Sequence, residues 1–195
     1  MGEQELLERL REGSEPAYDE IFRTHYPHLV GLAESMLRNR AEAEEVAQDV
    51  MLELWRRRQQ ITVESSLRAY LMRATRNRTL NRIRHERVAK TGEGHAQIAT
   101  HANPKGEYNL VEAEIETALR AAIDELPPRC REVFELSRVH GLRYAEIAAT
   151  MEISVKTVEV QMGKALRILR DRMAAWLPKG GTDGPRHMGR WYAAA

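Results

Sequence analysis

The stretch of sequence that decides the fold is residues 142–173, LRYAEIAATMEISVKTVEVQMGKALRILRDRM. Its apolar residues recur at three- and four-residue spacing, which predicts two amphipathic helices. Glu152 and Ile153 would form the turn between them. Ser154 is placed to cap the second helix, because its hydroxyl can accept a hydrogen bond from a free amide of the first turn. Two helices joined in this way are typical of a helix-turn-helix, whose second helix enters the major groove of DNA.

The second helix of this pair is predicted to have one buried and one accessible face. The buried face would contain Val155, Val158, Met162, Ala165, Leu166, Leu169 and Met173. The accessible face and its boundary would contain Lys156, Thr157, Glu159, Val160, Gln161, Gly163, Lys164 and Arg167. Glu152 stands where such turns often have glycine, so either the turn needs no positive φ or it is mildly strained. An ordinary antiparallel helix pair at the edge of a bundle is the alternative interpretation.

Charge is segregated along the chain. The 195 residues carry a net charge of +1, which argues against a protein that coats DNA without specificity. An acidic stretch contains Glu42, Glu44, Glu45, Asp49 and Glu53. A basic stretch follows it with Arg68, Arg73, Arg76, Arg78, Arg82, Arg84 and Arg87. We interpret the two stretches as surfaces for two partners, one basic and one a polyanion.

Other sequence features narrow the compartment and the chemistry. Cys130 is the only cysteine, so no intramolecular disulfide can form and a reducing compartment is expected. No apolar run is long enough to span a membrane, and the charged start is not a signal peptide, so we predict a cytoplasmic protein. His25 and His28 lack a third ligand at metal spacing. We predict no metal, no cofactor and no active site.

The chain reads as all-helical, in two domains. Residues 1–88 would form an N-terminal domain, 89–109 a flexible linker, 110–177 a C-terminal domain with the helix-turn-helix, and 178–195 a disordered tail. In the first domain we predict a break at Tyr26–Pro27, a helix end at Asn39–Arg40, and a loop from Gln59 to Ser66. Cys130 is predicted to be a buried thiol.

Two helices flank that loop. The helix from Ala41 to Arg58 has an apolar side with Ala43, Val46, Ala47, Val50, Met51, Leu54 and Trp55. In the helix from Leu67 to Arg87 the inward residues are predicted to be Leu67, Tyr70, Leu71, Ala74, Leu80 and Ile83, with arginines elsewhere.

Three segments carry a resemblance to a known family. Residues 42–57, EAEEVAQDVMLELWRR, resemble the second conserved region of bacterial sigma factors. Residues 66–87, SLRAYLMRATRNRTLNRIRHER, are similar to the following helix in the extracytoplasmic-function group. Residues 126–170 resemble the C-terminal domain of that group. The segments lie in the family's order, and the resemblance covers about residues 15–175.

The resemblance implies a function for each domain. The N-terminal domain would dock on the clamp helices of the largest subunit of core RNA polymerase and open promoter DNA at the minus-ten element. The C-terminal domain would read the minus-thirty-five element. The polymerase-binding residues would be Glu45, Gln48, Asp49 and Glu53. An anti-sigma protein is a further expected partner.

The same resemblance assigns candidate DNA contacts, to duplex promoter and to the melted non-template strand. At the minus-ten element they are Gln59, Gln60, Arg73, Arg76, Asn77, Asn81 and Arg84. At the minus-thirty-five element they are Lys156, Thr157, Glu159, Val160, Gln161, Gly163, Lys164 and Arg167. Arginines would track phosphates without reading sequence, and glutamine can pair with adenine.

Two other functions compete with this interpretation. A sigma-like decoy would bind an anti-sigma protein without binding DNA, and it would need neither the arginine helix nor a charged recognition helix. A stand-alone helix-turn-helix regulator would leave the acidic helix unexplained. An enzyme acting on nucleic acid is a more distant alternative, since paired carboxylates and metal ligands are not evident.

Overall fold

The computed structural model describes residues 2–63, 66–90 and 110–176. Over those ranges the chain forms eight α-helices and no β-strand, which confirms the all-helical prediction. The helices are α1 (Glu3–Arg11), α2 (Glu15–Leu37), α3 (Arg40–Arg56), α4 (Leu67–Lys90), α5 (Leu110–Asp124), α6 (Pro128–Arg138), α7 (Tyr144–Met151) and α8 (Val155–Arg172). Most of the predicted linker and the predicted tail lie outside the described residues.

The chain divides into two compact units. One comprises residues 1–102 and 149–152, and the other comprises residues 103–148 and 153–195. In the first unit, α2 packs against both α3 and α4, and α1 packs against α2. Its core includes Leu10, Ile21, Leu29, Leu32, Val50, Met51, Leu54 and Leu71. The predicted apolar side of α3 is buried from Ala43 to Leu54, as the helical spacing required.

The predicted break at Tyr26–Pro27 is wrong, because α2 continues through Pro27. A proline inside a helix removes one backbone hydrogen bond and costs about 3 kcal/mol. Here the carbonyl that loses its partner belongs to Arg23, four residues before Pro27. Both residues are exposed, so that carbonyl can bond to water. Residues before and after it are buried, including Ile21 and Leu29. Packing on both sides therefore holds the helix in one piece.

The predicted helix end at Asn39–Arg40 is also wrong, because α2 ends about two residues earlier, at Leu37. Its C-cap is Arg38, in a left-handed conformation with φ 59°. Asn39 instead caps the N-terminus of α3, where its side chain accepts from the amide of Glu42 at 3.3 Å. Asparagine is favoured at such a position because it satisfies an amide that the helix itself leaves unpaired.

The inward face of α4 differs from the prediction. Tyr70, Ala74, Leu80 and Ile83 are only half-buried, whereas Thr75 and Thr79 are fully buried. Each threonine hydroxyl donates to the carbonyl four residues earlier, Thr75 to Leu71 at 2.9 Å and Thr79 to Thr75 at 2.8 Å. A threonine bonded in this way can be buried without leaving a polar atom unsatisfied. The helix also runs to Lys90, past the predicted domain end at residue 88.

In the second unit, α8 packs against α6 and α5. The α5 helix stops before Pro127, and Pro128 opens α6 at a position where a missing amide costs nothing. Cys130, Val133 and Leu136 are buried on α6, which confirms the prediction for the cysteine. The buried stripe of α8 consists of Val158, Met162, Ala165, Leu169 and Met173.

The structure answers the question about the turn between α7 and α8. Glu152 has a φ of 57°, so the turn requires a left-handed residue and a glutamate occupies it under strain. Ser154 caps α8 as predicted, accepting from the amide of Thr157 at 3.1 Å. Val155 was predicted to face inward and is 43% exposed. It is the first residue of α8 and lies ahead of the buried stripe, which begins at Val158.

Candidate polymerase and promoter interfaces

The outer face of α3 presents the predicted polymerase-binding residues. Gln48 and Asp49 are exposed, and neither forms an ion pair or hydrogen bond with any residue that the structure describes. Glu53 is half-buried and pairs with Arg57, one helical turn further on. Leu52 is exposed beside them, a large apolar side chain that the helical pattern did not place on this face. The face therefore combines an unpaired acid, an amide and an apolar group.

Glu45 is engaged within the protein. Arg82 of α4 forms ion pairs with Glu45 at 2.9 Å and with Glu42 at 3.2 Å. The hydrogen bond to Glu45 and the nearby carboxylates raise the pKa of the Arg82 guanidinium above its ordinary value. The acidic and basic stretches thus meet at Arg82, and the expectation that they serve two different partners stays a prediction.

The loop between α3 and α4 is held at both ends by α1. Gln59 and Gln60 are exposed in it. At one end, Nη2 of Arg11 donates to the carbonyl of Ile61 at 3.2 Å. At the other end, a carboxylate oxygen of Glu3 accepts from the amide of Leu67 at 3.0 Å. Sequence reasoning missed both anchors, because contacts across 50 and 64 residues leave no local signal.

Trp55 was predicted to be a core residue and is only half-buried. Its ring meets Tyr18 edge-on at 5.2 Å between centroids. Tyr18 in turn neighbours Phe22 on α2. The guanidinium of Arg58 covers the Trp55 ring at 4.5 Å, and Arg58 also donates to the Trp55 carbonyl at 2.9 Å. This cation–π contact fixes the chain where it leaves α3 and enters the loop.

The candidate minus-ten residues on α4 are not equally accessible. Arg73, Asn81 and Arg84 are exposed, and Asn77 is half-buried. Arg76 is only 6% exposed, so in this structure it does not present a charge to DNA as predicted. Asn81 accepts from Arg84 at 3.0 Å through its side-chain oxygen.

A pair of histidines lies near the start of α4. Burial, the charge of Arg68 and the neighbouring His28 lower the pKa of His25 to about 4. Burial and the charge of Arg68 also lower the pKa of His28. Both rings are therefore neutral at pH 7. Among the residues that the structure describes, no three histidine, cysteine or acidic side chains cluster as a metal site.

The exposed face of α8 carries most of the predicted minus-thirty-five residues. Lys156, Thr157, Glu159, Val160, Gly163, Lys164 and Arg167 are exposed. Lys156 pairs with Glu159 at 3.0 Å, which offsets the negative charge that would repel phosphate. The hydroxyl of Thr157 lies 2.8 Å from that of Ser154 at the helix cap. Gln161 is half-buried and accepts from the thiol of Cys130 at 3.0 Å, so its oxygen faces α6.

Known protein families match both units. The family model for sigma-70 region 2 matches residues 21–88, and that for sigma-70 region 4 matches residues 116–169. The matches cover α3, most of α4 and most of the helix-turn-helix, in the order expected from the sequence. The chain belongs to the extracytoplasmic-function (ECF) group of sigma-70 factors.

Curated relatives of this chain are RNA polymerase sigma factors. The ECF RNA polymerase sigma factor SigE of Mycolicibacterium smegmatis is 29% identical over 163 residues, covering 82% of this chain. This chain spans 62% of the length of that relative. The RNA polymerase sigma factor CarQ of Myxococcus xanthus is 27% identical over 165 residues, which are 85% of this chain and 94% of CarQ.

Solved structures share the fold of this sigma factor. CnrH, solved in complex with the cytosolic domain of CnrY, aligns with a TM-score of 0.63 at 22% identity, over 89% of this chain and 97% of that one. The sigma factor RpoE of Bartonella quintana, solved with the anti-sigma factor NepR, aligns with a TM-score of 0.62 at 21% identity, over 80% of this chain and 96% of that one.

Family membership decides the class of function. Sigma factors are transcription initiation factors that bind core RNA polymerase and direct it to promoters, and membership of this family supports the predicted function. Within the described residues, no helix is long and apolar enough to cross a membrane.

Proposed function

We propose that this ECF sigma factor docks on core RNA polymerase through α3, with Gln48 and Asp49 at the centre of the contact. The observation that carries the proposal is the exposure of an uncompensated carboxylate, Asp49, on the helix that the region 2 model includes. A basic surface on the polymerase would attract it, and Leu52 would add an apolar contact. Glu45 and Glu53 flank this centre and are already partly neutralised by arginines.

The first unit also engages the minus-ten element. The loop with Gln59 and Gln60 takes an extruded base, which needs a pocket with contacts to the base edge. Arg73 and Arg84 contact phosphates, and Asn77 and Asn81 are placed to reach bases. Arg76 takes part only after it becomes exposed. The anchoring of the loop by Arg11 and Glu3 supports this role, since a held loop loses less entropy when it captures a base.

The second unit reads the minus-thirty-five element through α8. Its first turns carry exposed Lys156, Val160 and Lys164, and the N-terminal part of a recognition helix is the part that reaches base edges. Val160 fits a thymine methyl group, and Lys164 and Arg167 fit guanine or phosphate. Gly163 leaves room for close approach, since nothing lies within 4 Å of the position where a Cβ would stand.

The chain acts without catalysis of its own, in the cytoplasm, and nucleotide addition belongs to the core enzyme. We also propose that an anti-sigma protein holds it inactive. The structures of CnrH and of the Bartonella quintana sigma factor were solved with CnrY and the anti-sigma factor NepR, respectively. A decoy that only binds such a protein is the second candidate function, and it predicts no stable complex with core polymerase.

The test is co-elution of the purified chain with sigma-free bacterial core RNA polymerase on a sizing column. The wild-type chain is expected to co-elute, and the double variant Gln48→Ala with Asp49→Lys is expected to elute alone. Glu20→Lys is the matched control, because it reverses an exposed acid on α2, outside the proposed contact. A folded wild-type chain that never co-elutes would refute the sigma function and favour the decoy.

Promoter use is tested in the same reconstituted system. Lys164→Ala and Arg167→Ala are expected to weaken binding to duplex containing the upstream element and to reduce its dependence on salt. They should leave co-elution with core polymerase unchanged. Loss of co-elution in these variants would contradict the assignment of docking to α3.

A further inference from the structure

One residue of the proposed recognition face is tied to a neighbouring helix. The thiol of Cys130 on α6 donates to Oε1 of Gln161 on α8, with 3.0 Å between sulfur and oxygen. Cys130 is 1% exposed, whereas Gln161 is half-buried, next to exposed Val160 and buried Met162. Gln161 therefore lies at the edge of the groove-facing surface, with one end of its amide turned inward.

The two ends of a glutamine amide have different chemistry. The oxygen only accepts hydrogen bonds, and the nitrogen only donates them. Adenine is read with both ends at once, because the oxygen accepts from its N6 while the nitrogen donates to its N7. In this sigma factor the oxygen of Gln161 faces the buried thiol. The end left for DNA is the donor end, which matches acceptor edges such as O6 and N7 of guanine or O4 of thymine.

We propose that Cys130 is a positioning residue that sets the base preference of α8, by holding Gln161 with its amide donors toward the groove. The inference rests on the proposed function of α8 as the minus-thirty-five reader. At the base that Gln161 contacts, guanine or thymine is then preferred. Adenine is disfavoured, because the held glutamine cannot form the two hydrogen bonds that a free glutamine would form with it.

The experiment uses the full chain assembled with bacterial core RNA polymerase and a duplex promoter library randomised across the upstream element. Bound sequences are compared between variants, and Gln161→Ala identifies the position that Gln161 reads. Cys130→Ala releases the amide oxygen, so enrichment of adenine over guanine at that position is expected to rise by about fivefold or more. Cys130→Ser keeps a buried donor and is expected to retain the wild-type preference.

Val133→Ala controls for a general loss of packing around α6. It removes methyl groups from a buried residue of the same helix and leaves the thiol–amide pair in place. It should lower stability without changing base preference. The inference is overturned if Val133→Ala shifts the preference as Cys130→Ala does, or if Cys130→Ser behaves like Cys130→Ala. It also fails if Gln161→Ala changes no position, or if the wild type already selects adenine there. A wild-type holoenzyme that enriches no upstream sequence would refute the proposed function of α8 as well.

Discussion

Arg82 of α4 lies 2.9 Å from the carboxylate of Glu45 on α3, so the helix proposed to follow DNA is paired with the helix proposed to bind polymerase. Glu42 shares the same guanidinium at 3.2 Å. Both proposed surfaces belong to one compact unit. A partner that binds Glu45 would compete with Arg82 for it, and Arg82 would then become available to a phosphate.

We expect the energetic coupling between Arg82 and Glu45 to be small. The two side chains are 36% and 63% exposed, and exposed ion pairs contribute about 0.2–1 kcal/mol. A double-mutant cycle with Arg82→Gln and Glu45→Gln, followed by urea unfolding at low salt, measures this coupling. Asp49→Asn is the control, since that acid has no ion-pair partner among the described residues, and it should leave stability unchanged. A coupling above about 2 kcal/mol would contradict the view of a weak, exchangeable pair.

The anchors from α1 are expected to limit motion of the loop between α3 and α4. Glu3→Gln weakens a charge-assisted hydrogen bond to the amide of Leu67, and Arg11→Ala removes the donor to Ile61. Faster hydrogen exchange at the Leu67 amide and at the loop is the expected result, measured by mass spectrometry at pH 7. Glu5→Gln, an exposed change on the same helix, should not alter exchange. Equal rates in all three variants would show that α1 does not hold the loop.

Glycine at position 152 is expected to stabilise the protein. A left-handed residue with a side chain costs about 1–2 kcal/mol relative to a right-handed one, and glycine largely avoids that cost. Glu152→Gly should therefore raise the free energy of unfolding by about 1 kcal/mol, as measured by thermal and urea unfolding. Glu152→Ala separates the causes, because it removes the carboxylate and keeps the strained backbone. If alanine stabilises as much as glycine, backbone strain is not the reason.

Stability is expected to fall as the pH drops from about 6.5 toward 4, in part because of His25. Its pKa is lowered to about 4 in the folded protein, whereas an unfolded histidine titrates near 6.5. Above both values the ring is neutral in both states. Below 6.5 the unfolded chain binds a proton that the folded chain excludes, so its contribution to stability is lost across that window.

The size of this effect is about 1 kcal/mol between pH 7 and pH 5, since the ring is only partly buried and solvent screens its charge. Urea unfolding at the two pH values measures it, and His25→Gln should flatten the dependence. His85→Gln replaces an exposed histidine on α4 and serves as the control. A pH dependence that is the same in wild type and His25→Gln would rule out this histidine as a source.

Local patterns predicted much of the fold because they act over a single helical turn. The spacing of Val158, Met162 and Ala165 predicted the buried stripe of α8, and the hydroxyl of Ser154 predicted its first residue. The same reasoning failed at α4, where Thr75 and Thr79 are buried although they are polar. Their hydroxyls bond to the preceding turn, so polarity did not prevent burial there.

Helical spacing also predicted part of the candidate site. Exposure of Gln48, Asp49 and Lys164 follows from helical spacing, since each lies opposite an apolar stripe. The burial of Arg76 does not follow from it, because the surroundings of a long side chain depend on what packs around its helix. Pro27 in the middle of α2 is a similar case, because packing on both sides outweighed its local preference.

Sequence alone determined most of the helices and the order of the two regions, since periodicity and capping depend on neighbours within a few residues. Tertiary structure alone decided which charges stay free. Arg82 meets Glu45 across 37 positions, and Cys130 meets Gln161 across 31. Hydrogen bonds and ion pairs act over a few ångströms in space, whatever the separation along the chain, so only packing can show which acids and amides remain for polymerase and DNA.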